Sequence, residues 1–325
     1  MAPLFTGLRL GFGRSAEVAG SVPVSATGGT QIINGVNTYH VFTSPGTLTV
    51  TNVGSTTSME ILVVGGAGGG NRGGGGGAGG IIQAPAAPIS ATTYSITVGG
   101  TSPTGGDGVD SVFTHPLATL TGYGGGSGGG AGNTNVDAAN PGGSGGGAGI
   151  DYPGVTGAPG TQPGHPATPF STNKYGNPGG NAPTGGSPYQ AGGGGGGAGG
   201  VGANGNRLDI NGNTSTGGAG GVGQPFVNFA GPVLLPAISG PTVPIIGPTG
   251  LFGGGGGGGN NLNDPSPALS APVGGSGGGG NGANVHLGVG SNGNSYGGGG
   301  GGYEAEGSPT AGSTGFQGIV IVRIY

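Results

Sequence analysis

The stretch Met59-Glu60-Ile61-Leu62-Val63-Val64 leads directly into a glycine run from Gly65 to Gly80. The first part is a nearly unbroken apolar run of strand length, as expected for a β-strand that is buried on both faces. The second part has almost no side chains to bury, and fixing glycine carries the largest backbone entropy cost of any residue type. The sequence therefore predicts a β-domain joined to segments that are ordered by something other than side-chain packing.

Short segments rich in Thr, Val, Tyr and Phe recur on both sides of this stretch, at the spacing typical of a β-sandwich or jelly roll. They are residues 38–43, 47–53, 81–82, 93–98, 109–113 and 117–121. Ser44-Pro45-Gly46 separates the first two segments and predicts a hairpin between them. The chain ends in the apolar segment 316–325, which would be prone to aggregate as an exposed edge strand. We therefore expect this segment to return to the N-terminal sheet and complete the sandwich.

Glycine accounts for 96 of the 325 residues, several times the usual share of about 7%. Later glycine runs lie at 124–132, 142–149, 192–200, 217–223, 253–259, 274–282 and 297–302. In polyproline II geometry such runs have three residues per turn and no internal hydrogen bonds, so neighbouring helices can satisfy one another's backbone groups. The alternating runs and loops favour a bundle of polyglycine II helices. Disordered glycine linkers are the alternative, whereas collagen is excluded because the glycines have no triplet period.

These patterns predict an all-β fold with almost no α-helix. We expect an N-terminal docking segment at 1–29 and a jelly-roll-like β-sandwich at 30–123, completed by the strand 316–325. Residues 124–315 are expected to form one long insertion, the polyglycine II bundle with its variable loops.

The composition argues against several classes of function. Only 5% of the residues are charged, the formal net charge is −4 and cysteine is absent. The six Lys and Arg residues are scattered, so no basic stripe for nucleic acid is expected. No apolar stretch has the length of a signal peptide core or a membrane span, so we expect synthesis in the cytoplasm and no membrane insertion.

Catalysis is not expected either, because the four histidines lie far apart and no recognised nucleophile, metal or P-loop motif is present. Matches to GxGxxG within the glycine runs lack the helix and the acidic residue that a dinucleotide site needs. The sequence predicts no enzyme activity, no cofactor and no metal. Residues 105–113 match a calcium-binding nonapeptide once, through Asp107 and Asp110, but such sites form from stacked copies, so a tight turn is the favoured interpretation.

Aromatic residues are concentrated in the loops of the bundle. Exposed Tyr among Asn, Ser and Gly is typical of recognition surfaces, although local packing that holds the loops down is an alternative. The candidates for receptor contact are Tyr152, Tyr175, Tyr189, Lys174, Phe229 and Tyr296. The candidates for docking on a larger particle are the N-terminal apolar residues Leu4, Phe5, Leu8 and Phe12, which have no core of their own.

Four segments together resemble the glycine-rich domain of bacteriophage tail-fibre and adhesin proteins. They are YHVFTSPGTLTV (39–50), EILVVGGAGGGNRGGGGGAGG (60–80), YSITVGGTSPTGGDGVDSVF (94–113) and GFQGIVIVRIY (315–325). The opening MAPLFTGLRLGFGRS is similar to the start of small virion proteins of marine cyanobacterial phages. The resemblance implies a β-sandwich that carries a polyglycine II bundle, with loops at the bundle tip that recognise the host surface.

Two functions compete on this basis. The first is a virion-exposed adhesin that binds a host glycan or outer-membrane protein. The second is a purely structural fibre or head/tail decoration protein. A third reading, an ice-binding or matrix protein, ranks lower because these loops differ in length and residues. We expect a homotrimer that contacts other virion proteins through its N-terminus.

Overall fold

The computed structural model of the chain describes residues 22–130, 138–150, 154–164, 169–184, 191–207, 215–260, 270–283, 288–303 and 313–325. Within these ranges the fold is all-β, with antiparallel strand pairing and two short helices. The predicted fold class and the near absence of α-helix are therefore confirmed.

The strands are named in chain order. They are β1 (Ser25–Thr27), β2 (Thr30–Asn34), β3 (Asn37–Phe42), β4 (Gly46–Asn52), β5 (Ser58–Val64), β6 (Ile81–Pro88), β7 (Thr93–Thr97), β8 (Ser111–His115), β9 (Ala118–Gly122), β10 (Asn173–Tyr175), β11 (Asn206–Arg207), β12 (Ser215–Thr216), β13 (Gln224–Pro225), β14 (Leu251–Phe252) and β15 (Ile319–Ile324). A 3-10 turn covers Val227–Phe229, and the helices are α1 (Gly231–Leu234) and α2 (Thr242–Ile246).

Two antiparallel sheets make up the β-domain. One has five strands in the order β1-β4-β7-β8-β9, and the other has six in the order β10-β6-β5-β15-β3-β2. The C-terminal strand β15 lies between β3 and β5, where Val320 pairs with Phe42 on one side and with Val63 on the other. The prediction that the chain end returns to the N-terminal sheet is confirmed.

The apolar run of β5 is buried on both faces, as its sequence predicts. Met59, Ile61 and Val63 face a core that the two sheets share, together with Leu48, Tyr94, Phe113 and Leu120 of the five-stranded sheet. Leu62 and Val64 face a second core on the outer side of the six-stranded sheet. The cover over this second core comes from the segment between β13 and β14, through Phe229, Leu234, Ile238 and Ile246.

The hairpin predicted at Ser44-Pro45-Gly46 is wrong. The strands on its two sides belong to different sheets, so this turn carries the chain from one layer of the sandwich to the other. The actual hairpin joins β2 to β3, with Asn34 paired to Asn37 and Gly35 in the turn at φ +61°. A positive φ suits glycine, which has no side chain to oppose it.

Glycine run 74–80 is hydrogen-bonded with a repeat of three residues. Its amides at 74, 77 and 80 donate to the carbonyls of Gly129, Gly126 and Tyr123, at 3.1, 2.8 and 2.8 Å. Its amides at 75 and 78 donate to Gly193 and Gly196, and those at 76 and 79 donate to Gly300 and Gly297. Every third amide therefore returns to the same neighbouring run, which is the repeat of a polyproline II helix.

The carbonyls of the same run point to three further neighbours. They accept from Asn71, Gly68 and Gly65 in one run, from Gly147 and Ser144 in a second, and from Gly256 in a third. Run 74–80 thus has six hydrogen-bonded neighbours and forms the centre of the bundle. The predicted polyglycine II packing accounts for this arrangement, because only side-chain-free helices can approach one another on every side.

The boundary between the two parts differs from the division expected at residues 123 and 124. Residues 65–80, which were expected to belong to the sandwich, include the central run 74–80 of the bundle and its neighbour 65–71. Conversely, β10 and the segment 224–252, which were expected to belong to the bundle, pack on the six-stranded sheet. Sandwich and bundle are therefore interleaved along the chain.

Candidate functional site

The bundle has two distinct ends. At the end next to the sheets, the amide of Gly65, directly after β5, donates to the carbonyl of Gly80, directly before β6, at 2.9 Å. At the other end the amide of Asn71 donates to the carbonyl of Gly74 at 2.9 Å, so the central run turns back there. We call the end that holds residues 71–73 the remote end.

Other runs reach the same remote end beside this turn. The Gly73 amide donates to Tyr303 and its carbonyl accepts from Gly259, while a Cβ on Gly73 would meet Ile150. Gly73 has a φ of +89°, which a residue with a side chain rarely adopts. Its lack of a side chain therefore permits both the sharp turn and the close packing of its neighbours.

Asn71, Arg72 and Tyr303 lie at the centre of the remote end. The Asn71 carbonyl accepts from the Tyr303 amide at 3.0 Å, and the Asn71 Oδ1 accepts from the Arg72 amide at 2.9 Å and from the Tyr303 hydroxyl at 3.4 Å. All three residues are half-buried. Burial raises the pKa of Tyr303, although the nearby charge of Arg72 partly opposes this shift. The remote end therefore presents a neutral phenol, whose hydrogen is directed to Asn71, beside a guanidinium, the type of group that donates hydrogen bonds to anionic or hydroxyl-bearing ligands.

The candidate contact residues within the described ranges lie at the sandwich, not at the remote end. Lys174 and Tyr175 belong to the edge strand β10, where they pair with Ile82 and Ile81 and so point to opposite faces of the sheet. Phe229 is fully buried and Tyr296 is 6% exposed, both in the second core. These two residues are corrected from surface contacts to core residues, because their rings cover the outer face of the six-stranded sheet. Tyr152, Tyr189, Leu4, Phe5, Leu8 and Phe12 lie outside the described residues.

Asp107 and Asp110 act as acceptors that tie a turn to a glycine run. The Asp107 carboxylate accepts from the Ser127 amide at 2.8 Å and from the Asn140 side chain at 3.0 and 3.1 Å. The Asp110 carboxylate accepts from the Gly124 amide at 2.7 Å. In the described part of the chain no cluster of three or more His, Cys, Asp or Glu residues could hold a metal ion. These bonds support the turn interpretation of this motif.

The two histidines that the structure describes are buried in the sandwich. His40 Nδ1 donates to the Gly28 carbonyl at 2.8 Å, and burial lowers the pKa of His40. His115 lies between the rings of Tyr94 and Phe170. The ring nitrogens of His115 bond to backbone groups, the Pro88 carbonyl and the Leu117 amide. Across the same ranges, no helix has the length and apolar character needed to cross a membrane.

Sequence reasoning missed Asn71 and Arg72 as members of this end. The signal was present, since they are the only non-glycine pair that interrupts the run from Gly65 to Gly80. A polar pair inside such a run marks a turn, and a turn in a bundle lies at one of its ends.

A family model described as a glycine-rich domain matches residues 43–325. The match begins directly after β3 and includes the bundle and the C-terminal strand. No curated protein sequence is significantly similar to the chain.

Proposed function

The chain belongs to the glycine-rich domain family, and from this premise we propose that it is a structural protein of a bacteriophage particle, a tail-fibre or adhesin subunit. In this proposal the sandwich faces the particle, and the remote end of the bundle contacts the host surface, through a glycan or an outer-membrane protein. The protein acts by binding, without enzymatic activity.

One observation carries the proposal, namely that the two ends of the molecule differ in what they offer. The described chain enters at Val22, whose carbonyl accepts from the Ser55 amide at 3.0 Å, in the loop before β5. β5 then runs from this loop to the bundle, so Val22 and the remote end lie at opposite ends. At ~3.3 Å per residue for β5 and ~3.1 Å per residue for the run 65–71, these ends are at most about 45 Å apart.

This polarity suits a spacer that holds a recognition surface away from a particle. The bundle is held by backbone hydrogen bonds, which do not depend on the residues in its connecting loops. Loops at the remote end can therefore change in sequence while the scaffold stays the same, which is what recognition of varying hosts requires. Docking through Leu4, Phe5, Leu8 and Phe12, and assembly as a homotrimer, belong to the same proposal.

Adsorption competition tests the receptor role. Purified protein in excess should slow adsorption of the parent phage to its host, and Arg72→Glu should abolish this competition. Lys174→Glu makes the same charge change at the sandwich and should leave competition intact. A wild-type melting temperature of the Arg72→Glu protein shows that its loss of competition is not a folding defect. If immunogold labelling detects the protein on the particle but the purified wild-type protein does not slow adsorption, a purely structural virion role replaces the adhesin role.

The trimer is tested separately by sedimentation equilibrium of the full chain. A single species of three times the chain mass is expected, and a monomer across the accessible concentration range would contradict it.

A further inference from the structure

A cleft lies on the outer side of the six-stranded sheet, between β10 and the segment that follows β13. Its volume is about 200 Å³. Its floor is formed by Glu60 and Gln83, one wall by Tyr175, and the other wall by Phe226, Val227 and Asn228. Cavities for drug-sized ligands usually measure about 300–1,000 Å³, so this cleft has room for a smaller group, such as one sugar ring.

The floor is polar but carries no net charge. Glu60 is 3% exposed. Its Oε2 accepts from Arg323 Nη1 at 2.6 Å and from Asn228 Nδ2 at 3.0 Å, and its Oε1 accepts from Gln83 Nε2 at 2.7 Å. Arg323 thus neutralises the carboxylate, and three donors hold it in place. An ionic ligand would find no unbalanced charge here.

The cleft keeps hydrogen-bonding capacity that the described residues do not use. The Tyr175 hydroxyl and the Asn228 Oδ1 have no hydrogen-bond partner among the described residues. Gln83 and Asn228 each retain a second amide hydrogen after bonding to Glu60. Burial raises the pKa of Tyr175, which keeps its phenol protonated and able to donate at neutral pH. These are uncharged donors and acceptors that converge on one small space.

The walls add an apolar surface beside these groups. The Tyr175 ring meets the Phe226 ring edge-to-face with centroids 5.3 Å apart, which fixes its orientation. Val227 is 72% exposed at the rim. An oriented aromatic ring with neighbouring amides matches a group that has an apolar face of C–H bonds and a rim of hydroxyls.

We propose that this cleft is a binding site for an uncharged saccharide ring, which stacks on Tyr175 and bonds to its hydroxyl and to Asn228. The site goes beyond the proposed host contact, because it lies at the sandwich and not at the remote end.

Saturation-transfer NMR and calorimetry on the full chain test the proposal, with the methyl glycosides of glucose, galactose, mannose and N-acetylglucosamine as probes. At least one glycoside should bind. Tyr175→Phe should weaken its Kd about fivefold, because one hydrogen bond is lost, and Tyr175→Ala should weaken it further. Tyr123→Phe, on a partly exposed tyrosine outside the cleft, should leave the Kd unchanged.

Three outcomes would overturn the proposal: no glycoside binds, the Tyr175 variants bind as well as wild type although they melt at the wild-type temperature, or an acetylated dipeptide amide binds in place of the glycosides. Tighter binding of N-acetylneuraminic acid than of the neutral glycosides would overturn the proposal that the ligand is an uncharged saccharide. Arg72→Glu should not alter glycoside binding, so failure here and failure of the adsorption test remain distinguishable.

Discussion

Substitution of Gly256 tests whether backbone packing alone holds the bundle. A Cβ at this position would overlap the carbonyl oxygen of Gly300, and the next nearest atoms, in Gly300 and Gly301, also belong to the backbone. Backbone atoms cannot rotate away as a side chain can. Run 253–260 and run 297–303 would therefore have to move apart.

The size of the effect follows from that movement. Overpacking of a close-packed interior costs about 1–3 kcal/mol. Separation of the runs also strains the bonds from the Gly256 amide to Gly76 and from the Gly76 amide to Gly300, at 2.9 and 2.8 Å, each worth about 0.5–1.5 kcal/mol. We expect Gly256→Val to lower the free energy of unfolding by at least ~2 kcal/mol, and Gly256→Ala to lower it by a smaller amount.

Gly100→Ala is the matched control, because a Cβ at Gly100 meets no atom within 4 Å. Where the conformation allows it, this exchange stabilises by about 0.4–1 kcal/mol through the unfolded chain. Denaturant unfolding followed by tyrosine fluorescence measures both variants. A Gly256→Val protein within ~0.5 kcal/mol of wild type would refute the packed bundle and favour flexible glycine linkers.

Three further predictions concern the sandwich and its junction with the bundle. A chain that ends at Gly315 lacks the central strand β15 and should be found in the insoluble fraction; a soluble, cooperatively unfolding product would contradict the topology. The free energy of unfolding should fall as pH drops below about 6.5, by up to ~1.4 kcal/mol per pH unit. The reason is that His40 takes up a proton in the unfolded chain, whereas burial lowers its pKa in the folded protein. In pH-dependent melting curves, His40→Gln should flatten this slope. Asp107→Ala should cost about 1 kcal/mol through its lost acceptor role, and added Ca²⁺ should not change the melting temperature of the wild-type protein; a rise would reveal a metal site instead.

The sequence allowed the strands to be predicted more reliably than their pairing. The two-sided burial of β5 and the return of β15 follow from unbroken apolar runs, which leave no other stable arrangement. The order of strands depends on contacts between distant residues, and Ser44-Pro45-Gly46 has the same composition whether it closes a hairpin or joins two sheets. Local sequence patterns therefore could not predict the register of the strands or the sheet to which each strand belongs.

The positions of single aromatic residues were predicted least well. Phe229 and Tyr296 occur among glycines and prolines, which suggested exposed loops, yet their rings complete a core whose other half is β5 and β15. A local sequence window does not reveal that the outer face of the six-stranded sheet needs a cover. Arg72 shows the opposite case, because an interrupted glycine run carried a local signal that marked the turn.

The central place of β15 also determines when the protein can fold. This strand follows β5 in the chain only after the whole of the bundle, and the six-stranded sheet cannot close before it arrives between β3 and β5. At ~5–20 residues per second, the 260 residues from Gly65 to Ile324 take roughly 13–52 s to synthesise, and the apolar edges of β3 and β5 remain open during that time. Completion of the sheet thus reports that translation has passed β15, and a chain terminated before this strand is expected to stay unfolded and open to proteases before it can enter an assembly.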